Sequence, residues 1–258
     1  MNTFKVAMLA SGSKGNAALI TTGKQNFLVD VGISCRMLSQ RLQELQLTIA
    51  DLDGIFITHE HSDHMKGIAT LTKKFDVPLY ASAGTWRAVW AKDPKIEREH
   101  CLLFEQGMVC GEVRINSFPI PHDAYDPHGY SFTWGDGKCT YLTDTGHITQ
   151  EIRQAVAGSN TLILEANHDV DMLKHGPYAP ALKQRILSTR GHLSNETAGM
   201  FLRSLEHLPA SVFLAHLSHE NNLPSLALNT VSSLLEQQGL LEQTKLRVAS
   251  QTMIVKDF

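Results

Sequence analysis

With 258 residues, 43% of them hydrophobic and 19% charged, the chain is long enough to bury one large α/β core or two small ones, and its composition excludes a disordered or fibrous protein. A formal net charge of −3 excludes a global basic field, so any nucleic acid must be met by a local patch. The cysteines Cys35, Cys101, Cys110 and Cys139 form no CxxC pair, which argues against a zinc knuckle or disulfide framework. No apolar run approaches the roughly 20 residues of a membrane helix, and the N-terminus lacks a signal-peptide pattern, so the expectation is a cytoplasmic chain with no membrane partner.

Residues 4–9 alternate as a first strand, followed by the small-residue loop Ser11-Gly12-Ser13-Lys14-Gly15-Asn16. Strands over 17–21 and 26–31 form a hairpin turned at Gly23-Lys24, and Asp30 ends the second of them. Met37, Leu38, Leu42 and Leu45 give 34–47 a helical spacing. A short buried strand over 55–57 leads into a helix that runs from Ser62 or Asp63 to Phe75. Then come a strand over 77–81, a helix over 85–91 carrying Trp86 and Trp90, and strands over 109–118 and 130–134. The turn Gly135-Asp136-Gly137 leads into a strand over 139–143. The second half alternates: helix 150–157, strand 161–164, helices 179–189 and 195–205, strand 211–214, helix 225–238, and strands 245–249 and 252–255. No linker, low-complexity tract or repeat interrupts this order, so residues 1–258 are expected to form a single domain.

Thirteen histidines turn attention to metal. His59, His61, Asp63 and His64 fall within six residues at the end of the strand over 55–57. Residues two apart on an extended segment point the same way, so His59 and His61 can grip one ion together. Asp63 and His64 lie past the bend and face the same space from another angle, so one segment can feed two adjacent ions. The plain alternative is a polar turn that happens to hold histidines. Four more apolar strands end in polar residues of the same kind, at His122, Asp144, Glu165-Ala166-Asn167-His168 and His216-Leu217-Ser218-His219. Strand ends along one sheet edge converge on a shared crevice.

The stretch His59-x-His61-x-Asp63-His64 resembles the signature of the metallo-β-lactamase fold, which implies a four-layer αββα sandwich with a dinuclear metal site at one edge of the sheets. Carried over residue by residue, the resemblance implies that His59, His61 and His122 hold a first ion and that Asp63, His64 and His216 hold a second. Asp144, in Thr143-Asp144-Thr145-Gly146, resembles the bridging carboxylate, and Asp30 matches a structural aspartate that orients the ligand loop without ligating. Gly191-His192-Leu193-Ser194 is similar to the His-[Ser/Thr] motif of the tRNase Z and PhnP phosphodiesterase branch, which implies a catalytic His192 that contacts the scissile phosphate and protonates the leaving oxygen. The other reading of His192 is a helix-entry residue beside the cap Ser194. The Ser11 to Asn16 loop, the Glu165 to Asp169 segment and His216-Leu217-Ser218-His219-Glu220-Asn221-Asn222 together resemble the WalJ (YycJ) subfamily, which implies a 5′-to-3′ exonuclease with DNA favoured. No segment resembles the long arm with which tRNase Z holds tRNA, nor a β-CASP cap.

Imidazole and carboxylate ligands suit two divalent ions, zinc or manganese, with iron also compatible. Asn167, His168, His219 and Asn222 are candidates for phosphate binding or for support of the ligands. Lys183, Arg185 and Arg190 read either as a basic rim for a nucleic-acid backbone, DNA or RNA, or as a solvated helix face. The alternatives to a nuclease are a hydrolase of a small phosphodiester or thiolester, and a non-catalytic metal-bound sensor whose expected mark is a lost ligand.

Overall fold

The computed structural model describes residues 3–105 and 107–258. Its central strands are buried on both faces. In β1 (Lys5–Ala10), Val6 and Met8 pack to one side and Ala7 and Leu9 to the other. Such a strand needs a layer on each side. The first sheet runs through β1, β2 (Ala17–Thr21), β3 (Asn26–Val29), β4 (Gly54–Phe56), β5 (Leu79–Ala81) and β6 (Cys101–Leu103). The second runs from β7 (Gly107–Cys110) through β8 (Val113–Pro119), β9 (His128–Trp134), β10 (Gly137–Leu142), β11 (Thr161–Glu165) and β12 (Ser211–Ala215) to β13 (Lys245–Val248). A last strand, β14 (Val255–Lys256), returns to pair with β1.

Three apolar clusters fill the spaces between four layers. Val6, Phe27, Phe56, Phe132, Tyr141 and Phe213 lie between the sheets. The outer face of the first sheet is covered by α1 (Cys35–Glu44), α3 (Ile68–Lys74) and α4 (Ala83–Lys92), through Leu38, Leu42, Ile68, Leu71, Trp86 and Val89. The outer face of the second is covered by α5 (Gln150–Val156), α8 (Asn195–Arg203) and α9 (Pro224–Glu236), through Ile152, Leu202 and Val231. This is the expected αββα sandwich. Among the described residues no helix is long and apolar enough to cross a membrane.

Each sheet begins as an antiparallel meander and continues as parallel strands, β3 to β6 in one and β10 to β13 in the other. Within each sheet, the loops after β3, β4, β8, β10, β11 and β12 therefore leave the same edge. Several expected elements differ. The helix expected over 62–75 is broken into α2 (Ser62–Met65) and α3, because Gly67 lies against the loop after β3: its N–H donates to Val31 O, and a Cβ there would meet Ile33 O at 2.5 Å. The strand expected over 109–118 is a hairpin, β7 and β8, turned where Gly111 takes φ +54°. The sequence reading did not anticipate β6 or α6 (Val170–His175), and the helix expected over 179–189 ends early, as α7 (Pro180–Ile186).

Candidate metal centre

Three strand ends leave the sheets by the same backbone device. Asp30 after β3, Asp144 after β10 and His216 after β12 all adopt left-handed backbone, with φ of 63°, 58° and 58°. That region costs a residue with a Cβ about 1–3 kcal/mol and is held only where the surroundings over-determine it. Here the kink turns Asp144 and His216 into the crevice between the sheet edges and Asp30 onto the loop behind it.

The first sheet supplies the loop after β4. Asp30 is fully buried and accepts from Thr58 N at 2.9 Å, from Thr58 Oγ1 at 3.0 Å and from His64 Nδ1 at 2.7 Å. This bond fixes the His64 tautomer and aims its Nε2 inward. His59 Nδ1 lies 2.9 Å from Thr58 Oγ1, which leaves its Nε2 to the centre. The loop after β1 presses on the same segment: Asn16 N donates to Asp63 O at 2.8 Å, and the Asn16 amide reaches Asp63 Oδ2 and His64 Nε2 at 3.4 and 3.3 Å. Gly32 makes this approach feasible, because a Cβ there would lie 1.6 Å from Asp63 O. His122, after β8, donates from Nδ1 to Gly191 O at 3.2 Å, and its Nε2 stands 3.4 Å from His61 Nδ1.

The second sheet builds its half around Glu165, a residue to which sequence reasoning assigned no role. The side chain is fully buried at the end of β11. Its Oε1 accepts from His192 Nδ1 at 2.8 Å and His216 Nδ1 at 2.9 Å, and its Oε2 accepts from Thr145 N at 3.1 Å and Leu193 N at 2.9 Å. These four bonds orient two imidazoles and two backbone turns at once. They also occupy the carboxylate, so Glu165 buttresses the cluster rather than ligating, although its oxygens lie close to the ligand atoms. The signal in the sequence was a carboxylate directly after an apolar strand, the same pattern that marks Asp144.

The electrostatics demand positive charge. Burial would raise the Asp144 and Asp63 carboxyls, but the surrounding imidazoles hold both below the usual carboxylate range. Burial would likewise lower His216, but Asp144, Asp63 and Glu165 carry it up to about 10, and Asp144, Asp30 and Asp63 lift His64 well above the usual histidine range. His59, pressed by burial and by the other rings, is held well below it, in the neutral form that ligates.

The donor set fits a divalent cation in two further ways. His59 Nε2 and Asp144 Oδ2 are buried without a hydrogen-bond partner, an arrangement that is costly unless something else satisfies them. The ligand atoms also keep a characteristic spacing. His61 Nδ1 to His122 Nε2, Asp63 Oδ2 to His64 Nε2 and Asp63 Oδ2 to His216 Nε2 are each 3.4 Å, and Asp144 Oδ2 to His64 Nε2 is 3.3 Å. Tetrahedral ligands roughly 2.0–2.1 Å from zinc stand about 3.3 Å from one another. Ligand atoms of His59, His61 and His122 lie within 4.8 Å of one another, as do those of Asp63, His64 and His216. Asp144 stands between the two groups, with Oδ2 3.3 Å from His64 Nε2 and Oδ1 3.8 Å from His122 Nε2 and 3.4 Å from His216 Nδ1.

All seven residues expected to ligate are thus brought together, and His192 stands beside them, its ring centroid 5.1 Å from that of His122 and 5.3 Å from that of His216. The four supporting candidates divide. Asn167 lines the crevice and donates from its amide to His216 O at 2.8 Å. Asn222 does not line it; its amide donates to Ala166 O, Asn167 O and Asn195 Oδ1 inside the second sheet's helical layer. His168 is buried, its ring nitrogens lack partners, and burial pushes it down to about 4; it too stands off the crevice wall. His219 is exposed and pairs with Glu220. Of the three cationic rim residues, Arg190 donates to His122 O and Ala124 O, Lys183 to Lys174 O, and Arg185 alone faces the crevice, paired with Asp123.

The sequence model of the β-lactamase superfamily domain matches residues 25–217, which span both halves of this centre. The chain belongs to this superfamily. Two relatives within it are similar over nearly their whole length. One is exodeoxyribonuclease YycJ of Bacillus anthracis, 38% identical over 90% of this chain and 89% of that protein. The other is exodeoxyribonuclease WalJ of Streptococcus pneumoniae, 41% identical over 92% and 90%. Solved superfamily structures share the fold at lower identity. The Bacillus subtilis protein YhfI superposes with a TM-score of 0.73 at 18% identity over 98% of this chain and 99% of that one. A diphosphatase of the PhnP family gives 0.68 at 17% over 100% and 98%, and the short form of human tRNase Z gives 0.64 at 17% over 97% and 98%.

Proposed function

We propose that this protein is a metal-dependent nuclease that uses two divalent ions, zinc or manganese, to hydrolyse phosphodiesters of nucleic acid from an accessible end, DNA favoured and in the 5′-to-3′ direction. One observation carries the reading: two groups of three ligand atoms meet at one carboxylate, Asp144, with His59 Nε2 and Asp144 Oδ2 lacking hydrogen-bond partners. The two relatives named exodeoxyribonuclease support the substrate class. His59, His61 and His122 would hold one ion, and Asp63, His64 and His216 the other, with Asp144 between them. When bound, such ions supply Lewis acidity to phosphate oxygens and lower the pKa of attacking water toward about 7.

The chain's own residues do the rest. Glu165 holds the His192 ring by Nδ1, which leaves Nε2 as the atom that faces the crevice. As water oxygen bonds to phosphorus and the ester P–O bond breaks, a proton from His192 Nε2 passes to the leaving oxygen. Asn167 fixes the backbone of His216 and with it the floor of the crevice. The crevice opens past Arg185 into a second depression, which suits an extended chain better than a small closed substrate. A sensor would be expected to have lost a ligand, and none of the seven is lost.

The test is release of nucleotides from a 5′-labelled single-stranded oligonucleotide by protein supplied with manganese or zinc, and its suppression by EDTA. Cleavage that starts at the 5′ end supports the reading. No cleavage with any divalent ion would count against it, and persistent cleavage in excess chelator would rule out the metal.

A further inference from the structure

The crevice has a wall that the metal chemistry leaves unused. Tyr178, Leu182, Arg185 and Ile186, on α7 and the turn before it, stand across from His61, Asp144, His192 and His216. Leu182, Arg185 and Ile186 are spaced three and one apart on α7, so they share one face of the helix, and Tyr178 joins them from the bend before it. The open crevice holds about 220 Å³. That is below the roughly 300 Å³ at which pockets begin to enclose a drug-sized ligand, so it admits about one nucleotide unit and no folded oligomer.

Arg185 also lines the second depression, of about 460 Å³, whose other walls include Ser62, Met65 and Lys92. The two spaces share His61, Asp63 and Arg185, so they meet beside the metal ligands. Arg185 is 54% exposed and spends only Nε, on Asp123 Oδ2. Its two terminal nitrogens are left for a phosphate, which guanidinium binds by paired donors. Asp123 Oδ1 stands 3.3 Å from His122 Nε2, so the carboxylate that holds Arg185 also reaches the metal ligands.

We propose that this wall, one face of α7 and the bend before it, sets the register of the substrate: Tyr178 and Leu182 hold the base and sugar of the terminal nucleotide, and Arg185 holds the next phosphodiester where the two spaces meet. The inference rests on the nuclease reading and deepens it. One unit fits in the crevice and the chain continues past Arg185, so the products are mononucleotides.

The experiment uses the manganese-loaded full chain. Binding of a labelled single-stranded phosphorothioate oligonucleotide is followed by anisotropy against salt, and cleavage of the ordinary oligonucleotide is followed by product length. Arg185→Ala is expected to raise KM about tenfold, with a smaller fall in kcat, and to reduce the log–log salt slope by about 0.7, the loss of one phosphate contact on a single strand. Arg185→Lys is expected to restore the slope, which separates a charge contact from a structural defect. Tyr178→Ala is expected to lose at least about fivefold of the preference for a normal terminal nucleotide over an abasic one, the low end of a base–aromatic contact. An unchanged KM and salt slope in Arg185→Ala, a loss confined to kcat, or products mainly of two or more nucleotides would overturn the proposal. Failure of the unaltered protein to cut any oligonucleotide would remove the nuclease reading instead. The anisotropy measurements need no turnover and still decide whether α7 binds a phosphodiester chain.

Discussion

In the first sheet a buried carboxylate after β3, Asp30, takes one backbone N–H, the Thr58 hydroxyl and the Nδ1 of one imidazole, His64. In the second a buried carboxylate at the end of β11, Glu165, takes two backbone N–H groups and the Nδ1 of two imidazoles, His192 and His216. The chemistry is the same, a charge-assisted bond that fixes a tautomer and aims Nε2 inward. The reach differs. Asp30 serves a loop whose ligands lie together at 59–64, whereas Glu165 gathers four groups from three segments between 145 and 216. The first half of the centre is nearly local, and the second exists only because three parallel strands end side by side.

The comparison can be broken or sharpened by substitution. The largest effect is expected at the residue the two halves share: Asp144→Ala should abolish turnover with the fold retained, a loss greater than the roughly 100-fold of an outer-shell change. Activity together with a circular dichroism spectrum checks this, and residual turnover near the unaltered level would remove Asp144 as the bridge. Next is Glu165→Gln, which keeps the shape but sets an NH₂ group against ring N–H donors. A loss of about 100-fold in kcat/KM is expected, with reduced metal content by elemental analysis, because His192 and His216 are unlatched together. Asp30→Asn unlatches one ring and should cost only about tenfold, mostly through metal affinity, so that excess manganese recovers much of it. Equal losses at the two positions, or a larger one at Asp30, would mean that the number of rings each carboxylate holds is not what matters. The smallest catalytic effect is expected at Asn222→Ala, which should lower stability by about 1–3 kcal/mol through unsatisfied buried acceptors, with kcat/KM within about twofold. A raised KM at unchanged melting temperature would instead return Asn222 to the substrate.

The two halves also differ in how far the sequence exposes them. His59, His61, Asp63 and His64 are visible together because they are neighbours on one segment whose period-two geometry is known in advance. Asp144, His122 and His216 are visible as strand-end residues, and the family resemblance placed them. Asn222 and His168 look equally chemical in sequence, yet in the fold the amide of one ties down backbone carbonyls and the ring of the other is buried off the crevice. Their residue type says what they can bond, and only their neighbours say what they do bond.

By itself the sequence marked a run of apolar strands that end in metal-type side chains, and through the resemblance carried by His59 to His64 it implied the sandwich and the candidate ligand set. Tertiary structure alone decided that Glu165 is a buttress and not a ligand, because that depends on four donors reaching it from distant segments. It also decided that Arg185 faces the crevice while Arg190 is spent on backbone carbonyls. A local pattern records which groups lie along an element, whereas the partner that uses up a donor or a lone pair comes from elsewhere in the chain.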